Sequence, residues 1–320
     1  MMAEISSVVG LVFSRDRAMQ LDATLRSFLL HCVDGNDVQI AVLYRATSSL
    51  HARQYNELIQ EYRPFTNISF QPQAHFRQDV LRFLAAHADL RFGTRLYRRM
   101  ARLHRRLSFL SQPLLRFGLP RYVLFLVDDN LFVRSLRLVN ILDALEEQPQ
   151  ALGFSLRLGR NINYCYTHDL PQPLPEFTTI GDGVLCFDWT HGELDFAYPL
   201  EVSSSVYRIA DLLPFLNRQR FTNPNQLETC MAQNSGRFHH WPYLLCPAQS
   251  VVFSNPVNQV AEQYLNRSGT VHAYTSAELA QRFDQGLRVN IVTYDQLVLQ
   301  ACHQEVELYF YSAERGANAS

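Results

Sequence analysis

Asp128, Asp129 and Asn130 stand directly after an unbroken apolar run, YVLFLV at 122–127, and apolar residues resume at once. The run is short, β-branched and aromatic and does not alternate, as expected of a central strand covered on both faces of a sheet. The two carboxylates and the amide then fall at its C-terminal end, the edge of an open α/β sheet where ligands bind. Closely spaced carboxylates there suit a divalent cation that bridges two phosphates and offsets the charge building on a leaving diphosphate. An Asp/Asn turn that merely ends the strand has the same spelling.

Other polar groups fall at comparable places. FSRDR at 13–17 follows the first apolar run, and Arg45 ends the second. Arg15 and Arg17 also read as surface charges, and Asp16 as a helix start. Glu228 lies in the first turns of a helix that Asn223 can cap and Pro224 can open. Asp195 precedes a late strand. A carboxylate in either place can take a proton from a hydroxyl, although the helix dipole alone favours a first-turn Glu. His239 and His240 point apart on a strand and so do not share an ion.

The elements that must position these groups alternate along the chain. SSVVGLVFS is a strand, and RAMQLDATLRSFLLHC a helix by its apolar spacing. VQIAVLYR, the Ser-capped helix SSLHARQYNELIQEY and NISFQPQ follow, then a long helical region, the strand ending at Asp128, the helix LRLVNILDALEEQ and the strand ALGFSLRLG. Such alternation implies parallel strands with right-handed crossovers. The second half is less regular: a proline-rich loop over 161–183, further strands in VLCFDW and AYPLEVSSSVYR, and the helices IADLLPFLNRQ and TNPNQLETCMAQ. SVVFSNPVNQV is a strand and loop, YTSAELAQRFDQG a helix with a Ser276 cap and a Gly286 stop, and YDQLVLQACHQEVELYF a helix with a short strand.

Composition excludes several classes. The 320 residues are 47% hydrophobic and 18% charged, with a formal net charge of −1, as in an ordinary globular protein large enough to bury its own core. Six scattered cysteines without CxxC spacing, and no signal peptide, imply reduced thiols and a cytoplasmic protein. No run is long enough to cross a membrane. There is no lysine, so all 29 positive charges are arginine. Over 91–110, Arg91, Arg95, Arg98, Arg102 and Arg105 share one helical face opposite an apolar stripe. That face suits an anionic membrane surface or a lipid diphosphate, and equally a solvated basic face. The near-neutral chain, without interleaved stacking aromatics, argues against nucleic acid.

In their order and spacing, VVGLVFSRDR, VLFLVDDN, GFSLRLG and NPNQLE resemble the GT-A glycosyltransferases, over roughly residues 5 to 260. The resemblance implies a GT-A mixed α/β sheet flanked by helices at 1–268, with a small C-terminal helical appendage at 269–320. It implies transfer of a sugar from a nucleotide-diphosphate donor to a glycan or lipid-linked acceptor, with Mn²⁺ or Mg²⁺. It puts Phe13, Arg15, Asp16, Arg17, Arg45 and Asp128 at the donor, and Asp128, Asp129 and Asn130 at the metal. Glu228, or Asp195 in its stead, is the expected base of an inverting transfer, and Asn255 and Asn258 lie near the diphosphate. Asn130 departs from the family pattern, which has an acid there, and an amide holds a hard cation less strongly. Two rival readings are a sugar-phosphate nucleotidyltransferase, whose Gly-rich loop with a lysine is missing after the first strand, and a noncatalytic sugar- or partner-binding protein on a degenerate transferase scaffold.

Overall fold

The computed structural model describes residues 7–88, 122–258 and 267–312. Four strands, β1 (Val8–Arg15), β2 (Gln39–Arg45), β3 (Ile68–Pro72) and β4 (Tyr122–Val127), run parallel in the order β3-β2-β1-β4. Helices α1 (Ala18–His31), α2 (Ser49–Glu61) and α3 (Phe76–His87) follow the first three. Register levels the strand ends: Arg15 is opposite Arg45, and Phe13 is opposite Val127. Arg15, Arg45 and Asp128 therefore emerge along one edge.

After a turn at Asp128 and Asp129 the chain enters β5 (Asn130–Phe132), and then β6 (Ala151–Ser155) beyond the helix Leu138–Glu147. The expected long loop contains a two-residue hairpin, β7 (Tyr164–Cys165) with β8 (Leu170–Pro171), and the edge strand β9 (Thr178–Ile180). β10 (Val184–Asp188), β11 (Ser205–Arg208) and β12 (Tyr243–Pro247) complete a nine-stranded sheet among the described residues, in the order β3-β2-β1-β4-β11-β6-β12-β10-β9. β11 is antiparallel to both β4 and β6, which makes the sheet mixed, as expected. It fits because Gly153 on β6 has no side chain: a Cβ there would come within 2.5 Å of the Tyr207 ring. β5 leaves the main sheet to pair antiparallel with β13 (Val252–Ser254).

Local signals hold where they concern caps. Ser48 accepts from the His51 amide and Asn223 from the Gln226 amide, with Pro224 opening the helix Pro224–Gln233. Thr275, not Ser276, caps the helix Ser276–Asp284, since its backbone is extended and its hydroxyl accepts from the Glu278 amide. Gly286 ends that helix at φ +79°, a left-handed turn that glycine makes without strain. The basic stretch from Arg91 to Arg105 lies outside the described residues. No described helix is long and apolar enough to cross a membrane.

The helix expected after Tyr294 is absent. The chain makes a 3₁₀ turn at Ile291–Tyr294 and then runs irregularly to β15 (Phe310–Ser312), which pairs with β14 (Leu287–Val289). Tertiary pairing overrides helical spacing here: the Ser254 amide donates to Cys302 O, and the Gln304 amide to Ser254 O. Residues 269–312 pack into the body of the protein. Phe283, Leu299 and Cys302 are fully buried, Gln54 donates to Ala280 O, and the buried Arg288 guanidinium reaches Glu61 at 2.6 Å and Glu57 at 2.9 Å on α2. Arg288→Met leaves Glu57 and Glu61 without this cation, while Asp22 keeps Arg26 at 2.7 Å. Because Glu57 and Glu61 are partly solvated, the expected loss is about 2–3 kcal/mol, read by chemical denaturation as one lowered transition. A second, separate transition would refute a single cooperative body.

Candidate functional site

A cleft of about 960 Å³ opens at the C-terminal edge of the parallel strands. Phe13, Arg15, Arg45, Asp128 and Asp129 form one wall, and Asp195 and Glu228 lie across it. Residues more than 200 positions apart thus meet because the strand ends are level and the helix Pro224–Gln233 starts above them.

The first wall is built around one guanidinium. Arg17 Nη1 donates to Asp128 Oδ1 at 3.1 Å and to Asp129 Oδ2 at 3.3 Å, while Nη2 donates to Asn258 O at 2.6 Å. Asp128 Oδ2 also accepts from the Arg15 amide at 3.2 Å, which fastens β4 to the end of β1. Burial pushes the Asp129 carboxyl up to about 6; the Arg17 charge opposes this and Asp128 adds to it. The same two carboxylates hold Arg17 above its ordinary value against the cost of burial.

Two expected site residues have other duties. Asp16 sits at φ +56°, a left-handed conformation Asp tolerates, and its carboxylate accepts from the Thr47 amide at 2.7 Å and the Thr47 hydroxyl at 2.8 Å. It ties the loop after β1 to the loop after β2 and does not line the cleft. Asn130, expected at the metal, is fully buried. Its Oδ1 accepts from the Val127 amide at 2.9 Å and its Nδ2 donates to Ser254 Oγ at 3.0 Å, so both ends of the amide lock the turn. Asn255 is likewise structural, its amide side chain pairing with the Val306 backbone. Asn258 does line the cleft.

On the far wall, Glu228 is half-buried and pushed up to about 7. Desolvation is the largest cause, opposed by Arg157, raised further by Glu201, and lowered by hydrogen bonds from the Tyr198 hydroxyl and the Val202 amide. Asp195 is anchored through its backbone, whose amide donates to Gln172 Oε1 at 2.9 Å. Sequence reasoning missed Arg157, Tyr198 and His303, all of which face the cleft. Arg157, 3% exposed, donates to Ser203 Oγ at 3.2 Å, and Ser203 in turn donates to Glu201. Burial and the Arg157 charge lower His303 to about 3, leaving a neutral imidazole. A charged residue inside the apolar GFSLRLG was the available signal for Arg157, because arginine is almost never buried without a partner.

Among the described residues no three His, Cys, Asp or Glu side chains gather into a metal cage. Asp128 and Asp129 are adjacent carboxylates at the strand edge of the cleft. That pair fits a divalent ion of the kind held by one or two carboxylates and completed by substrate phosphates.

No family model matches the chain. It is similar to the bifunctional glycosyltransferase pgtA of Dictyostelium discoideum, 25% identical over 282 residues that cover 78% of this chain and 32% of that protein. The chain thus spans about a third of that relative's length. Among solved structures, TarS of S. aureus superposes with a TM-score of 0.43 at 12% identity, covering 78% of this chain and 36% of TarS. A crystal structure of TarS residues 1–349 with UDP-GlcNAc gives 0.39 at 11%, covering 83% of this chain and 62% of the other. The strand order and the related sequence together describe a GT-A-like α/β fold.

Asn130→Asp, which restores the acid of the family pattern, tests the locking role. It buries a third carboxylate beside two others and removes the donor to Ser254. Stability should drop by about 1–3 kcal/mol at neutral pH. The new carboxyl is raised by burial and like charge, so the loss is full at neutral pH and fades as pH falls toward the unfolded value near 4. Unchanged melting at pH 7 would refute the lock.

Proposed function

We propose that this chain is a glycosyltransferase module that moves a sugar from a nucleoside-diphosphate donor to a hydroxyl of a glycan or lipid-linked acceptor. The observation that carries the reading is the pairing, across one cleft, of an arginine- and aspartate-lined strand edge with a half-buried carboxylate poised near neutrality.

On this reading the diphosphate lies along the ends of β1, β2 and β4, where Arg15, Arg17 and Arg45 offer positive charge in a partly water-excluded site. Phe13 is an apolar contact for the nucleoside. Asp128 and Asp129 would hold Mn²⁺ or Mg²⁺, which supplies charge that stabilises the departing diphosphate. The acceptor hydroxyl approaches from the side of Glu228. As its oxygen forms the bond to the anomeric carbon and the bond to the diphosphate breaks, its proton passes to the Glu228 carboxylate. A base near 7 is matched to this task, since it is half ionised at neutral pH and still takes the proton readily. Asp195, on the same wall, is the alternative base.

Asp128→Ala should lower turnover at least about a hundredfold, as for a lost transition-state charge contact; unchanged turnover with a panel of nucleotide sugars would overturn its role. Glu228→Gln should cut transfer by about a hundred- to ten-thousandfold with donor affinity little changed, and should remove an ascending limb of kcat/KM near pH 7. Asp195→Asn is the control: a dead Asp195 variant beside an active Glu228 variant reverses the roles. A product that keeps the donor's anomeric configuration rules out the inverting mechanism.

Stability gives a check free of turnover. Glu228 keeps its proton up to about 7 when folded, against the usual 4.5. Between those values the folded state binds more protons, so wild-type stability declines as pH rises through the window. Glu228→Gln should melt progressively higher than wild type from pH 4.5 to pH 7 and hold that gain above it.

A further inference from the structure

Arg17 occupies a peculiar place in the cleft. A single nitrogen, Nη1, touches both Asp128 and Asp129, the position where an ion bridging the two carboxylates would sit. Nη2 is tethered to Asn258 O, and the Asn258 side chain is in turn held by Gln20 Nε2 at 3.2 Å. Yet two buried donors at this spot, Arg17 Nε and Asn258 Nδ2, have no hydrogen-bond partner among the described residues. A buried donor without an acceptor is costly, so two on residues in contact mark a site that awaits acceptor oxygens.

We infer that Arg17 is the resident counter-cation of the double-aspartate turn, and that a divalent ion enters only as a nucleoside diphosphate draws the guanidinium off the carboxylates. This rests on the donor reading above and adds the order of events at the same site. With Arg17 in place, a divalent ion would meet a positive charge already seated between its ligands, in surroundings of low dielectric. A diphosphate changes that balance. Its oxygens satisfy Arg17 Nε and Asn258 Nδ2, a guanidinium pairs well with phosphate, and the released carboxylates then face the same phosphates as a metal ligand set. Metal and nucleotide are thereby coupled, each raising the other's affinity by one common factor.

The test measures Mn²⁺ binding to the full chain by the loss of the free-ion electron paramagnetic resonance signal, with and without UDP, and needs no turnover. Wild type should bind Mn²⁺ at least about tenfold more tightly with saturating UDP. Arg17→Gln should raise Mn²⁺ affinity without UDP at least about tenfold and shrink the UDP effect by a similar factor. Arg17→Met, of similar bulk, should do the same, with thermal melting confirming that each variant is folded. Arg15→Gln removes a positive charge from the same cleft, but one whose side chain pairs with Asp16 and not with the double-aspartate turn. It should leave nucleotide-free Mn²⁺ affinity within about twofold, which separates direct occupancy from general electrostatics. Equal nucleotide-free affinity in wild type and both Arg17 variants overturns the inference, as does an equal gain in Arg15→Gln. Absence of Mn²⁺ binding in every form, with or without UDP, also overturns it, whereas UDP binding by calorimetry in that case would leave the donor reading standing.

Discussion

The Val127 amide, last in the central strand, donates to the side chain of Asn130 three residues on, and the shape of the cleft follows from that closure. It turns the chain at Asp128 and Asp129, so that both carboxylates line the cleft and meet the Arg17 guanidinium. The other end of the same amide reaches Ser254, so the turn is also pinned to the β5–β13 pair. The Asn255 amide then donates to Asp129 O and brings Asn258 within reach of Arg17. One neutral side chain thus sets two carboxylates and their counter-cation. An acid there would add charge at a point with no water to screen it.

Much of this was legible in the sequence for a physical reason. β1, β2 and β4 are buried on both faces, so each is written as an apolar run whose first charged residue must lie at the strand edge, and Arg15, Arg45 and Asp128 do so. The cap at Asn223 is a bond between neighbours and is equally readable. The structural bonds of Asp16 and Asn130 were not legible because their partners, Thr47 and Ser254, are remote in sequence, and a polar residue at a strand end reads the same whether it faces ligand or loop. The stretch after Tyr294 has helical spacing, but its backbone groups bond to β13, and spacing alone does not reveal such a partner.

The absence of lysine shapes the chemistry of the interior. Arg157, Arg208 and Arg288 are each 4% exposed or less, and a lysine there would tend to shed its proton on burial. Arginine stays charged and spreads its donors, as Arg208 does in bonding the carbonyls of Ala151 and Leu145 at the base of the sheet. Burial moves two carboxylates of this cleft towards neutrality, Asp129 to about 6 and Glu228 to about 7.

The insertion of β11 between β4 and β6 has a consequence for how the chain is made. β4 gains its second neighbour only when residues 205–208 arrive, about 80 residues later, or about 4 to 16 seconds at ordinary translation rates. Until then an entirely apolar strand ends the nascent sheet with its backbone unpaired, the kind of edge that recruits foreign strands. The N-terminal half can order early as a parallel unit, but it is sealed from outside pairing only by a strand synthesised in the second half, so truncation before Ser205 would leave a sticky sheet in place of a smaller stable one.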